Sequence, residues 1–97
     1  MPLRYYFKSA FQKTFDKLPR DQQALVLKTL ESLRGYLEGG TAPFGLRVKK
    51  LHDGGPVKTF EARVSADLRL VWVHTTDEIV FALLGKHEDV RRFLKNL

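Results

Sequence analysis

Two arginines in the second half of the chain, Arg63 and Arg69, are spaced so that they can bind one anion together. They flank the short polar run 65–67, and apolar residues alternate with polar ones on both sides of it. Side chains alternate between the two faces of a strand, so a hairpin that joins its apolar sets on one face puts Arg63 opposite Arg69 on the other. Like charges in directly opposite positions repel each other. The pair is therefore expected to attract an anion such as a phosphate group.

The register of this predicted hairpin depends on the length of its loop. A loop of three residues, 65–67, pairs Phe60 with Trp72 and aligns the apolar sets, whereas a loop of two residues would mismatch them. The same register places Glu61 on the face of the arginines, one cross-strand pair further along. Two interpretations follow for the arginine pair: it binds an external anion, or Glu61 neutralises it on a solvated face of the sheet.

The elements before the hairpin are predicted from apolar spacing and from turn residues. A short strand at 3–7 precedes a helix that starts with a capping box of Ser9 and Gln12 and is interrupted by Pro19. The next helix stops at the glycines that follow residue 38. Four aliphatic residues at helical spacing form its buried face: Val26, Leu30, Leu33 and Leu37.

The later elements complete the predicted fold. A basic extended stretch at 46–51 ends in the turn cluster 53–56, and the stretch 79–84 is apolar on both faces, as in a covered central strand. A closing helix has acidic residues in its first turn and an apolar face formed by Val90, Phe93, Leu94 and Leu97. The order β-α-α-β-β-β-β-α predicts an α+β fold, with a helical hairpin packed on a mostly antiparallel twisted sheet and a short C-terminal helix.

Composition limits the class of protein. A chain of 97 residues with 43% hydrophobic and 29% charged residues is typical of a globular protein, and we expect one domain over 1–97. The absence of cysteine excludes disulfides, thiolate zinc sites and thiol catalysis, and it is compatible with the cytoplasm. We also expect no signal peptide and no membrane partner, since no apolar run reaches the roughly 18–20 residues that span a bilayer.

The charge of the chain favours a polyanionic partner. The formal net charge is +6, and its excess is spread evenly, so any basic patch must be assembled by folding. The basic run 47–50 has two interpretations: it contacts a nucleic-acid backbone, or it is a solvated strand edge. His52 and His74 lack the spacing of metal ligands, and no metal or cofactor is expected.

Taken in this order, the segments resemble the RelE/ParE superfamily of type II toxin–antitoxin toxins, in its RelE-like branch. The resemblance covers nearly the whole chain: the helical hairpin, GLRVKKL at 45–51, ARV at 62–64 with LRLVW at 68–72, and GKHEDV at 85–90. It implies a toxin that enters the ribosome, cuts mRNA as an endoribonuclease, and is neutralised by a cognate antitoxin. The alternative is a ParE-like inhibitor of DNA gyrase or a non-catalytic binding module.

The resemblance also implies roles for individual residues. Metal-free RNA cleavage needs a base for the 2′-OH proton, cations for the phosphorane charge and an acid for the 5′-oxygen. Arg69 stands at the arginine that stabilises phosphate in the nucleases, with Arg63 beside it. His87 matches a position that is often His or Arg, and its structural alternative is a polar residue at the start of a helix. Glu61 is the candidate base, although one nuclease type has lysine there.

Further cations are expected to bind the RNA backbone. Arg91 is one of them, with a role as surface charge alone as its alternative. It stands where the ending of the family usually has tyrosine, which is the departure that favours the non-nuclease alternative. The full set of candidate RNA-binding residues is Arg47, Lys49, Lys50, Lys86 and Arg91.

Overall fold

The elements follow the chain order predicted from the sequence. In this computed structural model, which describes residues 2–97 except the side chain of Phe44, a single sheet is combined with three α-helices. The strands are β1 (Arg4–Phe7), β2 (Lys49–Gly54), β3 (Val57–Arg63), β4 (Arg69–His74) and β5 (Glu78–Gly85). The helices are α1 (Ser9–Lys17), α2 (Arg20–Leu37) and α3 (His87–Lys95), and a 3₁₀ turn, Phe44–Leu46, precedes β2.

The sheet has the strand order β1-β5-β4-β3-β2. Only β1 runs parallel to its neighbour, β5, and the other three pairings are antiparallel. The prediction of an α+β fold with a mostly antiparallel sheet is confirmed. The predicted hairpin register is confirmed as well, because β3 and β4 pair Phe60 with Trp72 and Arg63 with Arg69.

The start of α1 differs from the predicted capping box. Ser9 is the first helical residue, and the residue before it, Lys8, is extended and makes no capping bond with its side chain. The cause is the preceding strand: the backbone N–H of Lys8 donates to the carbonyl oxygen of Phe81 at 3.0 Å, so the chain is still held against β5 there. The predicted break at Pro19 is confirmed, since α1 ends at Lys17 and α2 begins at Arg20.

The main core lies between the helical hairpin and one face of the sheet. Helix α2 contributes the fully buried Val26 and Leu33, whereas Leu30 and Leu37, also predicted as buried, are partly exposed at its margin. The sheet side of the core consists of apolar residues from three strands: Ala62, Leu70, Trp72, Ile79, Phe81 and Leu84. Trp72 retains 1% of its surface, so it is a core residue and not a platform for stacking bases.

Helix α3 covers part of the opposite face of the sheet, where it contacts β4 and β5. Val71 and Val90 are buried but lie outside the main core, which fits a second, smaller apolar layer beneath this helix. Leu97 was predicted to join the apolar face of α3, but it lies beyond the helix end and is 58% exposed. No helix within residues 2–97 is long and apolar enough to cross a membrane.

Gly85 allows α3 to begin directly after β5. A Cβ atom at this position would lie 2.8 Å from both Cβ and Oδ2 of Asp89, closer than side chains normally approach. We expect Gly85→Ala to push α3 away from the sheet and to lower the free energy of unfolding by about 1–3 kcal/mol. Urea unfolding measures this effect. Gly45→Ala is the matched control, because a Cβ there has nothing within 4 Å, and equal stability of the two variants would contradict the prediction.

Candidate phosphate-binding site

The hairpin of β3 and β4 holds the two arginines at its closed end. Arg63 and Arg69 form the last cross-strand pair before the loop. The loop is the predicted one of three residues, because the N–H groups of Val64 and Ser65 both donate to the carbonyl oxygen of Leu68, at 2.9 and 3.1 Å. The N–H of Leu68 donates back to Ser65 Oγ at 3.2 Å. Because the loop is short and held by its own hydrogen bonds, the backbone of the two arginines has little conformational freedom.

The two arginines differ in their partners. Arg69 Nη1 lies 3.6 Å from Glu61 Oε2, and these side chains are only 20% and 12% exposed. Among residues 2–97, no carboxylate lies within ion-pairing distance of Arg63, and its buried Nε has no hydrogen-bond partner. Glu61 therefore neutralises one arginine and leaves the other without a counterion.

The burial of this site increases the electrostatic difference between Arg63 and Arg69. Glu61 lies between Lys49 of β2 and Val71 of β4 in the register, and it is buried, so the surface around it is not the solvated face that the second interpretation assumed. Charges interact more strongly where water is scarce, and a half-buried cation without a partner is unfavourable. The free guanidinium of Arg63 is therefore a ready binding point for an anion.

The basic run before β3 divides between the two faces of the sheet. Lys49 pairs with Glu61 and shares the face of the arginines. Lys50 pairs with Phe60, so it points to the opposite face, and its Nζ donates to Asp53 Oδ2 at 2.9 Å. Its predicted place at the RNA site is not supported by this geometry. The stretch 46–51 is also not extended throughout, because Arg47 is left-handed, with a φ of 47°.

The start of α3 lies at the same end of the sheet as the arginine pair. Arg63 pairs with Arg69, and Arg69 in turn pairs with Gly85, the last residue of β5. His87, two residues further on, is the exposed first residue of α3. The Asp89 carboxylate accepts a bond from the Lys86 N–H at 2.8 Å and so fixes the start of the helix. The strand register thus brings the predicted imidazole to the end of the sheet that carries the arginines.

The remaining candidates, Lys86 and Arg91, are exposed at the start and on the surface of α3. Neither forms an ion pair with another described side chain. Lys86 directly follows Gly85, the cross-strand neighbour of Arg69. Within the described part of the chain, no three side chains of metal-ligating type come together.

The sequence did not indicate a second polar cluster, which lies beside α2. The Tyr5 hydroxyl donates to Glu38 Oε2 at 2.7 Å, and Arg34 Nε donates to the same oxygen at 3.2 Å. Burial, with the hydrogen bond to Glu38, raises the pKa of Tyr5 to about 12, and the same bond lowers the pKa of Glu38. These groups line an open cleft of about 620 Å³ with His74, whose pKa is lowered by burial. Because Tyr5, Arg34 and Glu38 satisfy one another, we assign them a structural role.

Comparisons with known proteins identify the fold. No protein-family model and no curated protein matches the sequence. A RelE–RelB complex from Pyrococcus horikoshii OT3 contains a chain that is 22% identical with a TM-score of 0.68, and the match covers 89% of this chain and 96% of that one. A copper-bound mutant toxin from Helicobacter pylori is 24% identical with a TM-score of 0.70, covering 91% and 98%.

A third solved structure, the YoeB dimer from Staphylococcus aureus, is 18% identical with a TM-score of 0.66, and the match covers 90% of this chain and 99% of that one. The agreement extends over nearly the full length of each partner in the comparison, at identities that carry information on architecture alone. The chain thus has the fold of the RelE-like toxins, as its motifs predicted.

Proposed function

We propose that this protein is the toxin of a type II toxin–antitoxin system and that it inhibits translation by cutting mRNA on the ribosome. The observation that carries the proposal is the arginine pair. Arg63 forms no ion pair with another described side chain, Arg69 is its cross-strand neighbour, and both lie at the end of the sheet where α3 begins. Two guanidinium groups at one end of a sheet can bind a single phosphate through several charge-assisted hydrogen bonds.

In the proposed reaction, the two guanidinium groups bind the scissile phosphate. The 2′-oxygen of the RNA attacks the phosphorus atom, and negative charge grows on the non-bridging oxygens. Donors that are already in position stabilise this charge without having to reorganise, and each is worth about 3–4 kcal/mol of barrier. Arg63, which forms no ion pair with another described side chain, meets this condition, and Arg69 meets it once its ion pair with Glu61 has opened.

The proton transfers are assigned to two neighbouring groups. Glu61 is the proposed acceptor of the 2′-OH proton, and His87 is the proposed donor to the departing 5′-oxygen. All steps use side chains of the protein. Lys49, Lys86, Arg91 and Arg47 are proposed to hold the RNA backbone, and Lys50 is left out because it faces the other way.

A cognate antitoxin is the proposed protein partner. The matched RelE chains from Pyrococcus horikoshii and Methanococcus jannaschii were solved with RelB, and Escherichia coli YafQ was solved with DinJ. A net charge of +6 suits an acidic partner segment. Because the proposed substrate is mRNA under translation, the proposed location is the cytoplasm.

The alternative of gyrase inhibition gains no support from these comparisons. The solved structures named above are RelE, YoeB and YafQ toxins and a toxin from Helicobacter pylori. The arginine pair also has a direct use in phosphate chemistry, whereas binding to a protein such as gyrase does not require it. We therefore retain the ribonuclease as the proposed function.

The test is induced expression of wild type, Arg69→Ala and His87→Ala in a bacterial host, with mapping of mRNA 5′ ends. We expect cuts confined to translated messages, absent in Arg69→Ala and strongly reduced in His87→Ala. Arg20→Ala is the matched control, since Arg20 is exposed at the start of α2 and lies away from the site. Toxicity without any cut in translated mRNA would refute the proposal.

A further inference from the structure

Glu61 gives the two arginines of the site different electrostatic environments. Its carboxylate lies 3.6 Å from Arg69, the position that the proposed function assigns to a phosphate oxygen. Arg63 forms no ion pair with a carboxylate of the described residues. A carboxylate of the protein therefore engages one arginine of the pair and not the other.

We propose that Glu61 is an internal anion that occupies Arg69 in the free protein, and that the phosphate of the RNA displaces it. This inference rests on the proposed function of the site in binding a phosphate. Arg63 then makes the first contact with the RNA, and Arg69 joins only after its ion pair with Glu61 has opened. Opening also removes the carboxylate of Glu61 from the position at Arg69 that a phosphate oxygen is proposed to take.

Lys49 supplies a place for the displaced carboxylate. It is the direct cross-strand neighbour of Glu61 on β2, on the same face of the sheet. Opposite side chains in an antiparallel pair have Cβ atoms about 4.5–5.5 Å apart, within reach of an ion pair. Lys49 forms no ion pair with another described side chain. A buried carboxylate that loses one cation needs another, so Glu61 moves from Arg69 to Lys49.

The inference can be tested by titrating the protein with inorganic pyrophosphate while NMR follows the Nε–Hε signals of Arg63 and Arg69 separately. In wild type, the Arg63 signal should respond at lower concentration than the Arg69 signal. In Glu61→Gln, both should respond together, with affinity raised about tenfold, which corresponds to about 1.4 kcal/mol. Simultaneous responses in wild type, or no response at Arg63, would overturn the inference.

Asp67→Asn is the matched control for charge. It removes one negative charge from the same hairpin, but Asp67 is exposed in the loop and forms no ion pair with Arg69. We expect its affinity for pyrophosphate to rise less than twofold, by the general effect of net charge. A rise as large as that of Glu61→Gln would show that only the overall charge matters.

Lys49→Met and Lys50→Met test the destination of the carboxylate. Both remove one positive charge from neighbouring positions on β2, but only Lys49 faces Glu61. We expect Lys49→Met to weaken pyrophosphate binding about threefold more than Lys50→Met, and this difference to become smaller when Glu61 is also replaced by glutamine. Equal effects in the wild-type background would remove Lys49 from the exchange.

These measurements report binding and do not depend on RNA cleavage. If mRNA proves uncut while the displacement is observed, the proposed function fails and the exchange of anions at Arg69 remains. If mRNA is cut while both arginine signals respond together in wild type, the nuclease remains and the exchange is refuted.

Discussion

We expect alanine at either arginine of the pair to slow the proposed cleavage of ribosome-bound mRNA by about 100- to 1,000-fold. Each guanidinium contributes donors that are strongest when charge develops on the phosphate, and water cannot replace them in a half-buried site. The measurement is the single-turnover rate of cutting on purified ribosomes that carry a defined mRNA. The loss should appear in the rate at saturating toxin and not only in the affinity.

Lysine variants of the two arginines distinguish the contribution of positive charge from that of guanidinium geometry. Arg63→Lys and Arg69→Lys keep the positive charge but lose the planar fork that binds two oxygens, so we expect rates between those of wild type and the alanine variants. The double alanine variant should lose less than the product of the two single losses, because both groups act on one phosphate. Alanine variants that cut within about threefold of wild type would remove the pair from the mechanism.

The largest effect on stability is expected for Trp72→Ala, at about 3–5 kcal/mol. Trp72 is almost fully buried, and its ring is stacked on that of Phe60 with centroids 5.5 Å apart. Its removal leaves a large cavity between α2 and the hairpin, and the strand that carries Arg69 loses its main anchor. Urea unfolding followed by circular dichroism gives the free energy, because the single tryptophan is lost as a fluorescent probe.

Trp72→Phe distinguishes the contribution of ring packing to stability from that of the indole N–H group. The indole Nε1 is buried and has no hydrogen-bond partner among residues 2–97, so removing it relieves an unsatisfied donor. The smaller ring leaves only part of the cavity, and we expect a loss of at most about 1.5 kcal/mol. Equal losses in Trp72→Phe and Trp72→Ala would contradict the view that ring packing dominates.

The hairpin could be predicted from sequence because several constraints agree there. Alternating apolar residues define two faces, and the loop length permits only one register that joins them. The position of Arg63 opposite Arg69 follows without any knowledge of the rest of the fold. The same reasoning placed Trp72 against Phe60, and the structure confirms both pairs.

Prediction was poorer where the chain departs from regular geometry. Alternation in 46–51 assumes an extended chain, but Arg47 is left-handed and the register shifts between Lys50 and His52. These irregularities determine which lysine side chain lies on the face of the arginines. No residue type in the stretch predicts them. The predicted capping box of α1 was wrong for a related reason. A backbone hydrogen bond to a distant strand holds Lys8, and no local side-chain bond caps the helix.

The unequal environment of the two arginines could not be predicted either. The sequence placed Glu61 near both, and side-chain packing decides that it lies against Arg69. The cluster of Tyr5 with Glu38 joins residues 33 positions apart, and neither belongs to a recognisable motif. Contacts of this kind depend on the assembled tertiary structure and leave no local pattern.

The parallel pairing of β1 with β5 has a consequence for the order in which the protein matures during synthesis. Arg4, at the start of β1, pairs with Glu78, so the first strand finds its partner only when the last strand has been made. Contacts of such long sequence separation form slowly. The helical hairpin can collapse early, but the sheet and α3 behind it remain open until residues 78–87 are available. The β1 edge of the sheet is therefore completed only after residues 78–81 have been made, whereas the hairpin of β3 and β4, which carries both arginines, has its two strands available earlier.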